Sequence, residues 1–328
     1  MLAAYYERTG AADEVLKLDD IPMPEPAPGE VRVQILWSGL NPSDVKSRAG
    51  LVGRPMVSNR VIPHSDAMGV IDALGAGVEG RKIGERVWVY NAAWGRPWGT
   101  AAQWTCLPEQ LVVPLPDSVP DEAGACLGIP AMTALHAVLM DEGVAGKTVL
   151  VSGGAGAVGH YAIQFASQLG AARVLTTVST EHKAQLAKEA GADEVINYRS
   201  SSVVDQVKEL TQGRGVDRII EVDIAANGRQ NLDLLRIGGE CVVYGSSPTP
   251  LDLPFPALLA KDVQLKFFLV YQLPPKDRSK AHAVLDRLLK SERLRHQIGH
   301  RLPLSEIAAA HEMLEQGKAT GNVVLSVP

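Results

Sequence analysis

The sequence predicts an α/β protein with two domains, a β-rich module and a doubly wound parallel sheet. The chain has 328 residues, more than the ~250–300 that one hydrophobic core usually supports. Short β-like runs bounded by Gly and Pro fill the N-terminal third. From about Asp121 onward, apolar strands alternate with amphipathic helices, which is typical of a parallel sheet with helices on both faces.

The predicted elements follow in chain order. Turn-bounded apolar runs predict strands of a barrel-like module at 30–39, 69–75 and 84–90. A helical stretch covers 121–140, and the parallel sheet begins with a continuous apolar strand at 147–152. The later strands are expected at 172–179, 193–198, 216–222, 239–245, 263–270 and 321–327, and the helices at 157–170, 181–191, 201–210, 229–236, 277–290 and 304–316.

Composition excludes several classes of protein. The net charge is −5 without a basic block, so neither nucleic acid nor an anionic membrane is an expected partner. No apolar run reaches the ~18 residues of a membrane span, and Glu7 and Arg8 interrupt the N-terminus early. Cys106, Cys126 and Cys241 are far apart, against a disulfide framework or a four-cysteine zinc site. We expect a cytoplasmic protein.

A glycine-rich loop follows the first strand of the predicted sheet. Gly154, Gly156 and Gly159 fit G-x-G-x-x-G between a strand and a helix, the context that makes this pattern a dinucleotide fingerprint. Gly154 is expected to permit the tight turn, Gly156 the approach of a pyrophosphate, and Gly159 close helix–strand packing. Ala157 and Val158 open the helix whose free N–H groups would face the phosphates. A glycine turn without a ligand is the alternative.

The end of the second strand indicates which dinucleotide binds. An NAD enzyme usually places a carboxylate there, whereas this chain has Ser179, Thr180 and Lys183, which suit the 2′-phosphate of NADPH. Glu181 is expected to point to solvent from the first turn of the next helix. The alternative for Lys183 is a solvated surface lysine, but the cluster favours NADPH over NADH.

Several motifs together resemble one known family. The chain is similar to medium-chain dehydrogenases/reductases of the zinc-free branch, the NADPH:quinone oxidoreductases and zeta-crystallin. The segments that carry the resemblance span nearly the whole chain, at 38–50, 62–78, 127–138, 151–159, 191–199 and 318–327.

The resemblance implies a GroES-like catalytic domain, residues 1–122 and 266–328, and a Rossmann NADPH-binding domain, residues 123–265. It places the active site in the cleft between them. It also implies a homodimer or homotetramer paired through edge strands, for which the apolar segment 263–270 is the candidate.

The resemblance further implies individual site residues. Asn41 and Thr133 would act near the nicotinamide or the acceptor oxygen, although Asn41 before Pro42 also suits a structural turn. The other implied cofactor contacts are Tyr198 at the adenine ribose phosphate, Gly245 and Ser246 through their backbone, Phe268 and Val270 at the carboxamide, and Asn322 where relatives often carry a lysine.

Zinc-dependent relatives place a cysteine at the position of Asn41 and a histidine at that of Ser65. An amide and a hydroxyl are poor zinc ligands, and the neighbouring His64 lacks partner ligands in the sequence. We therefore expect no metal.

Two departures from the family pattern concern the substrate pocket. Lys46 stands where many quinone reductases have a tyrosine, and it either attracts an acidic substrate oxygen or lies solvated on the surface. Trp94 and Trp98 either wall a pocket for a planar acceptor or pack as a surface loop on another subunit.

Without zinc ligands, acceptors that take hydride readily are favoured. The sequence therefore predicts a zinc-independent NADPH-dependent quinone oxidoreductase acting on a small-molecule substrate. The alternatives are an alkene (enone) reductase, a non-catalytic NADPH-binding protein of the crystallin kind, and a zinc alcohol dehydrogenase, for which the metal ligands were not found.

Overall fold

The computed structural model describes residues 1–51, 53 and 55–328. The chain forms two compact units, Met1–Pro130 with Asp286–Pro328, and Ala131–Leu285. The strands are β1 (Leu2–Tyr5), β2 (Lys17–Asp20), β3 (Glu30–Leu40), β4 (Asp66–Leu74), β5 (Arg86–Val89), β6 (Trp104–Pro108), β7 (Val112–Pro114), β8 (Thr148–Val151), β9 (Arg173–Val178), β10 (Glu194–Asn197), β11 (Val216–Glu221), β12 (Leu235–Val243), β13 (Gln264–Phe267), β14 (Ile298–Pro303) and β15 (Asn322–Ser326).

The helices connect these strands or cover the sheets. They are α1 (Ala12–Val15), α2 (Pro42–Arg48), α3 (Asp121–Gly124), α4 (Met132–Leu139), α5 (Ala157–Gln168), α6 (Glu181–Glu189), α7 (Val203–Leu210), α8 (Ile224–Leu234), α9 (Phe255–Lys261), α10 (Pro275–Lys290) and α11 (Ile307–Glu315).

The first unit is built around a seven-stranded sheet in the order β14-β15-β3-β4-β5-β7, with β6 also paired to β3. Its longest strand, β3, alternates apolar and polar residues, and Val31, Val33 and Ile35 lie in the core. The C-terminal strand β15 pairs antiparallel with β3, so this sheet joins strands from residues 30–114 to strands from the C-terminal segment 298–326. The predicted β-rich module is confirmed.

The second unit holds a six-stranded parallel sheet in the order β10-β9-β8-β11-β12-β13. Counted from β8, this is the order 3-2-1-4-5-6 of dinucleotide-binding sheets. All six residues of the central strand β11 are buried, as expected for a strand covered by helices on both faces. The predicted doubly wound sheet is confirmed.

Two predicted helices differ from the observed ones. The stretch 121–140 is divided into α3, a π-helical turn at Leu127–Ala131, and α4, because Pro130 has no N–H and interrupts the helical ladder. The helix expected at 229–236 begins at Ile224, where the side chain of Asp223 accepts a hydrogen bond from the Ala226 N–H and caps it. It ends at Leu234 because Leu235 already belongs to β12.

Within the described residues, no helix has both the length and the apolar character needed to cross a membrane. The domain boundaries expected near residues 122 and 265 stay predictions, while the two compact units divide the chain after Pro130 and after Leu285.

Candidate active site

The glycine loop between β8 and α5 is packed too tightly for side chains at two of its positions. A Cβ at Gly154 would lie 2.2 Å from the hydroxyl of Thr176, and one at Gly159 would lie 2.2 Å from the carbonyl oxygen of Gly153. The left-handed residue of the turn is Gly153, with φ 72°. Gly154 is needed because β9 lies against the loop, and Gly159 because the loop itself folds back onto the helix.

The first turn of α5 leaves N–H groups available for an anion. The helix has 12 residues, starts at Ala157 and Val158, and has Gly156 as its N-cap without any side chain to cap those groups. A tight loop of small residues leading to an uncapped helix N-terminus suits a pyrophosphate. The residues present therefore fit a dinucleotide.

A buried carboxylate, missed by the sequence analysis, anchors this loop. Glu221, the last residue of β11, accepts hydrogen bonds from the hydroxyl of Ser152 at 2.8 Å and from the backbone N–H of Asp223 at 2.6 Å. The side-chain amides of Asn227 and Asn231 donate to it at 2.9 and 2.7 Å. The only sequence signal was an acidic residue directly after the apolar pair Ile219 and Ile220 at the end of a predicted strand.

The residues predicted for the 2′-phosphate lie at the carboxyl end of β9. The Thr180 hydroxyl caps α6 by accepting from the Lys183 N–H at 3.2 Å. Ser179 precedes this cap, and the side chain of Lys183 is half-buried. The helix N-terminus and the lysine thus present positive charge at one place.

The end of β10 adjoins the end of β9. The N–H of Tyr198 donates to the carbonyl of Val178 at 3.0 Å, and the Tyr198 side chain is 53% exposed. Arg199 follows on the same edge and is exposed, which adds a second cation that the sequence analysis did not single out.

The remaining residues predicted around the nicotinamide lie on α4 and after the ends of β12 and β13. Phe268 packs edge-on against the ring of His136, with centroids 4.7 Å apart, and burial lowers the pKa of that histidine. Val270 is buried, as is Thr133 near the start of α4.

The loop after β12 contains the last two of these residues. The carbonyl of Gly245 accepts from the N–H of Ile224 at 3.3 Å, and Ser246 follows, half-buried.

Asn41, in the first unit, is joined to two buried carboxyl groups. Its backbone N–H donates to Asp44 at 2.8 Å, and its side-chain Nδ2 donates to Asp66 at 2.9 Å. The N–H of Ile129 donates to the same oxygen of Asp66 at 2.9 Å. Burial raises the pKa of Asp44 to about 7 and that of Asp66 well above its usual range. The structural use of Asn41 before Pro42 is real, since Asn41 is the N-cap of α2.

The side chains at the position of a possible zinc site do not fit that ion. The Asn41 amide nitrogen is engaged with Asp66, Ser65 offers a hydroxyl, and both ring nitrogens of His64 take part in hydrogen bonds. In the part of the chain that the structure describes, no group of three or more His, Cys, Asp or Glu side chains is arranged to hold a metal.

The remaining predicted residues are dispersed. Lys46 is half-buried in the last turn of α2. Trp94 is half-buried, and Trp98 is 42% exposed. Asn322, expected to face the cofactor, is 4% exposed, and its Nδ2 donates to the backbone carbonyl of Gln297 at 3.0 Å.

Comparisons with known proteins cover the whole chain. Residues 27–117 match the alcohol dehydrogenase GroES-like domain, and residues 157–289 match the zinc-binding dehydrogenase family. The human quinone oxidoreductase is 32% identical over 316 residues, which cover 95% of this chain and 94% of that protein. A 2-haloacrylate reductase from a Burkholderia species is 29% identical over 338 residues, with 99% and 98% covered.

Solved structures are similar over the same length. The Escherichia coli quinone oxidoreductase complexed with NADPH matches with a TM-score of 0.87 and 26% identity, covering 99% of this chain and all of the other. An NAD-dependent alcohol dehydrogenase matches with a TM-score of 0.92 and 30% identity, with both chains fully covered. The chain belongs to the medium-chain dehydrogenase/reductase family, in its quinone oxidoreductase and zeta-crystallin branch.

Proposed function

We propose that this protein is a zinc-independent NADPH:quinone oxidoreductase. The reaction is NADPH + H⁺ + quinone → NADP⁺ + hydroquinone. The observation that carries the proposal is the dinucleotide site of the second unit, where a tightly packed glycine loop leads into an uncapped helix and the neighbouring strand ends in hydroxyls and cations. Named quinone oxidoreductases spanning 95% of the chain support the choice of acceptor.

Bound NADPH supplies the hydride, and the residues of the chain bind and orient it. The N–H groups of the first turn of α5 would hold the pyrophosphate. Ser179, Thr180, Lys183 and Arg199 would hold the 2′-phosphate through charge-assisted hydrogen bonds. Tyr198 would lie beside them at the ribose.

We propose Asn41 and Thr133 as the catalytic residues that position the nicotinamide and the acceptor oxygen. Lys46, Trp94 and Trp98 are proposed as the acceptor side of the site. For the carboxamide end of the cofactor we propose Gly245, Ser246, Phe268 and Val270. Asn322 is not among these contacts, because its buried amide group donates to the backbone carbonyl of Gln297.

The test is a steady-state assay with 1,4-benzoquinone, comparing NADPH with NADH on the wild type and on Lys183→Ala. We expect NADPH to be preferred about tenfold or more, and the substitution to lower kcat/KM for NADPH about ten- to hundredfold, as for loss of a charge-assisted contact. NADH should be little affected. Lys188→Ala, which removes an exposed lysine from the same helix, is the matched control. It should change kcat/KM neither for NADPH nor for NADH.

Equal use of NADH would contradict the assignment of the 2′-phosphate site. If the wild type binds NADPH but does not oxidise it with any acceptor tested, the protein is instead a non-catalytic NADPH-binding member of the family.

A second candidate function is reduction of a carbon–carbon double bond conjugated to a carbonyl group. The 2-haloacrylate reductase that matches 99% of this chain favours it. Hydride would then add to the β-carbon and a proton to the α-carbon. Turnover of an enone or a haloacrylate that exceeds turnover of benzoquinone would establish this alternative.

We also propose that the protein forms a homodimer or homotetramer through the edge strand β13. One edge of β13 pairs with β12, and the other leaves backbone groups open to a second copy. Apolar side chains are exposed on and near this edge, namely Phe255, Leu259, Phe267 and Leu269.

We propose a cytoplasmic location for the protein. Its three cysteines are free thiols, which suits such a location.

A further inference from the structure

Four buried polar side chains of the first unit form one continuous hydrogen-bond chain. Ser38 on β3 contacts the Nδ1 atom of His64 at 2.8 Å and the hydroxyl of Thr100 at 2.9 Å. The Nε2 atom of His64 lies 3.0 Å from the Nε2 atom of His311 on α11. All four side chains are fully buried, so bulk solvent does not reach these contacts.

The donor and the acceptor of each hydrogen bond follow from the contact between Thr100 and Asp66 at one end of this hydrogen-bond chain. The Thr100 hydroxyl donates at 2.7 Å to the backbone carbonyl of Asp66, which can only accept. Thr100 has a single proton, so it must accept the proton of Ser38. Ser38 then has no proton left for His64, and therefore the Nδ1–H of His64 donates to the Ser38 hydroxyl.

The same reasoning fixes the tautomer of each histidine. A neutral His64 that carries its proton on Nδ1 offers a lone pair on Nε2, and His311 must donate its Nε2–H to it. The Nδ1 atom of His311 is then a lone pair, and it has no hydrogen-bond partner among the described residues. Burial lowers the pKa of His64 to about 3 and that of His311 well below its usual range, so both rings are neutral at physiological pH. The neighbouring charge of Arg48 acts on His311 in the same direction.

The hydrogen-bond chain ends at Asp66, the residue whose carboxyl group binds the Asn41 amide. It begins at His311 on α11 and passes through His64, whose φ of 74° is unusual for a residue other than glycine. Such a backbone persists only where its surroundings fix it. Hydrogen bonds on both ring nitrogens and from the Thr100 N–H to the His64 carbonyl, at 3.0 Å, provide that fixation.

We propose that His311, acting through His64, Ser38 and Thr100, is a positioning residue that holds the Asp66 segment and thereby orients the Asn41 amide for reaction. Its catalytic consequence rests on the proposed function, whereas the tautomers and the orientation of Asn41 do not.

The first test is made on the wild type and needs no activity. Long-range ¹H–¹⁵N spectra of protein labelled at histidine nitrogens distinguish the two neutral tautomers. We expect an Nδ1–H tautomer for His64 and an Nε2–H tautomer for His311 at pH 7. The reverse tautomers, or a cationic ring at either position, would overturn the proposal.

The second test compares two substitutions of His311. His311→Gln keeps an amide N–H donor near the position of Nε2, whereas His311→Leu removes the donor. We expect His311→Leu to move the side-chain NH₂ resonances of Asn41 and to lower kcat with quinone about tenfold, the effect of a misplaced positioning group. The KM for NADPH should stay within about twofold. His311→Gln should restore both readouts, and His300→Gln, a half-buried histidine on β14, should alter neither.

The outcomes separate the two proposals. Unchanged Asn41 resonances in His311→Leu would overturn the positioning role, whatever the activity. A wild type without quinone turnover would refute the proposed function, yet the tautomers and the Asn41 resonances would still decide the role of His311. Should His311→Leu fail to fold, the wild-type tautomers still decide the proposal, and displaced Asn41 resonances in His311→Gln, which keeps the donor, would overturn it.

Discussion

The backbone N–H of Asn41 donates to the buried carboxyl group of Asp44 over 2.8 Å, which ties the first turn of α2 to the residue that caps it. Tyr6 and Asp66 interact electrostatically with this carboxyl group, and Arg48 interacts electrostatically with Tyr6. Its burial raises its pKa from 3.8 to about 7. A carboxyl group whose pKa is higher in the folded protein than in the unfolded chain makes the free energy of unfolding depend on pH.

Asp44→Asn should remove this dependence. Between pH 5 and 7 the folded protein keeps a proton on Asp44 that the unfolded chain has released, so Asp44 contributes less stability as the pH rises. The free energy of unfolding of the variant, relative to the wild type, should therefore increase by up to about 1.4 kcal/mol per pH unit. Urea unfolding at both pH values measures it, and the buried histidines cancel because both proteins contain them. A constant difference would mean that Asp44 is ionised throughout.

Thr100→Val should destabilise the first unit. The substitution keeps the shape but removes the hydroxyl that donates to the Asp66 carbonyl and accepts from Ser38, at a cost of about 2 kcal/mol or more in the free energy of unfolding. Thr105→Val is the control, because Thr105 is equally buried but its hydroxyl donates over 3.4 Å. We expect that control to cost less than about 1 kcal/mol. Equal losses in urea unfolding would refute the importance of the Thr100 contact.

Glu221→Gln should weaken NADPH binding. An amide in place of the carboxylate turns one acceptor oxygen into a donor, so two of the four groups that donate to Glu221 lose their partner. Since one of the four is Ser152 at the start of the glycine loop, we expect the Kd for NADPH, measured by calorimetry, to rise about tenfold. Glu194→Gln changes a half-exposed carboxylate of the same sheet and should leave the Kd unchanged. An unaltered Kd in Glu221→Gln would show that the loop does not depend on this anchor.

Phe267→Lys should dissociate the proposed oligomer. Phe267 is 58% exposed at the end of the edge strand, and a buried ammonium group there would lack a partner. Light scattering after gel filtration should show a monomer for the variant and a dimer or tetramer for the wild type. Ile237→Lys, at a residue that is 71% exposed on β12, is the control. An unchanged mass in Phe267→Lys would exclude β13 as the interface.

Local patterns were sufficient to predict both sheets. Short strands such as the apolar β8, separated by amphipathic helices, are typical of a parallel sheet, and the glycine loop marks its first turn. Boundaries were less accurate where a side chain overrides propensity. Asp223 caps α8, which begins five residues before the expected start of that helix, and Pro130 divides the helical stretch after α3.

The sequence by itself determined the family, the β-rich module, the doubly wound sheet and the dinucleotide loop, because these depend on residues adjacent along the chain. Only the tertiary structure decided which distant side chains meet. It brought His64 into contact with His311, 247 positions away, and Asn41 into contact with Asp66. It placed four hydrogen-bond donors around the carboxylate of Glu221. It also directed Asn322 to Gln297. Hydrogen-bond partners of buried polar groups are chosen by packing, since a polar group removed from water must pair with whatever the fold places within reach.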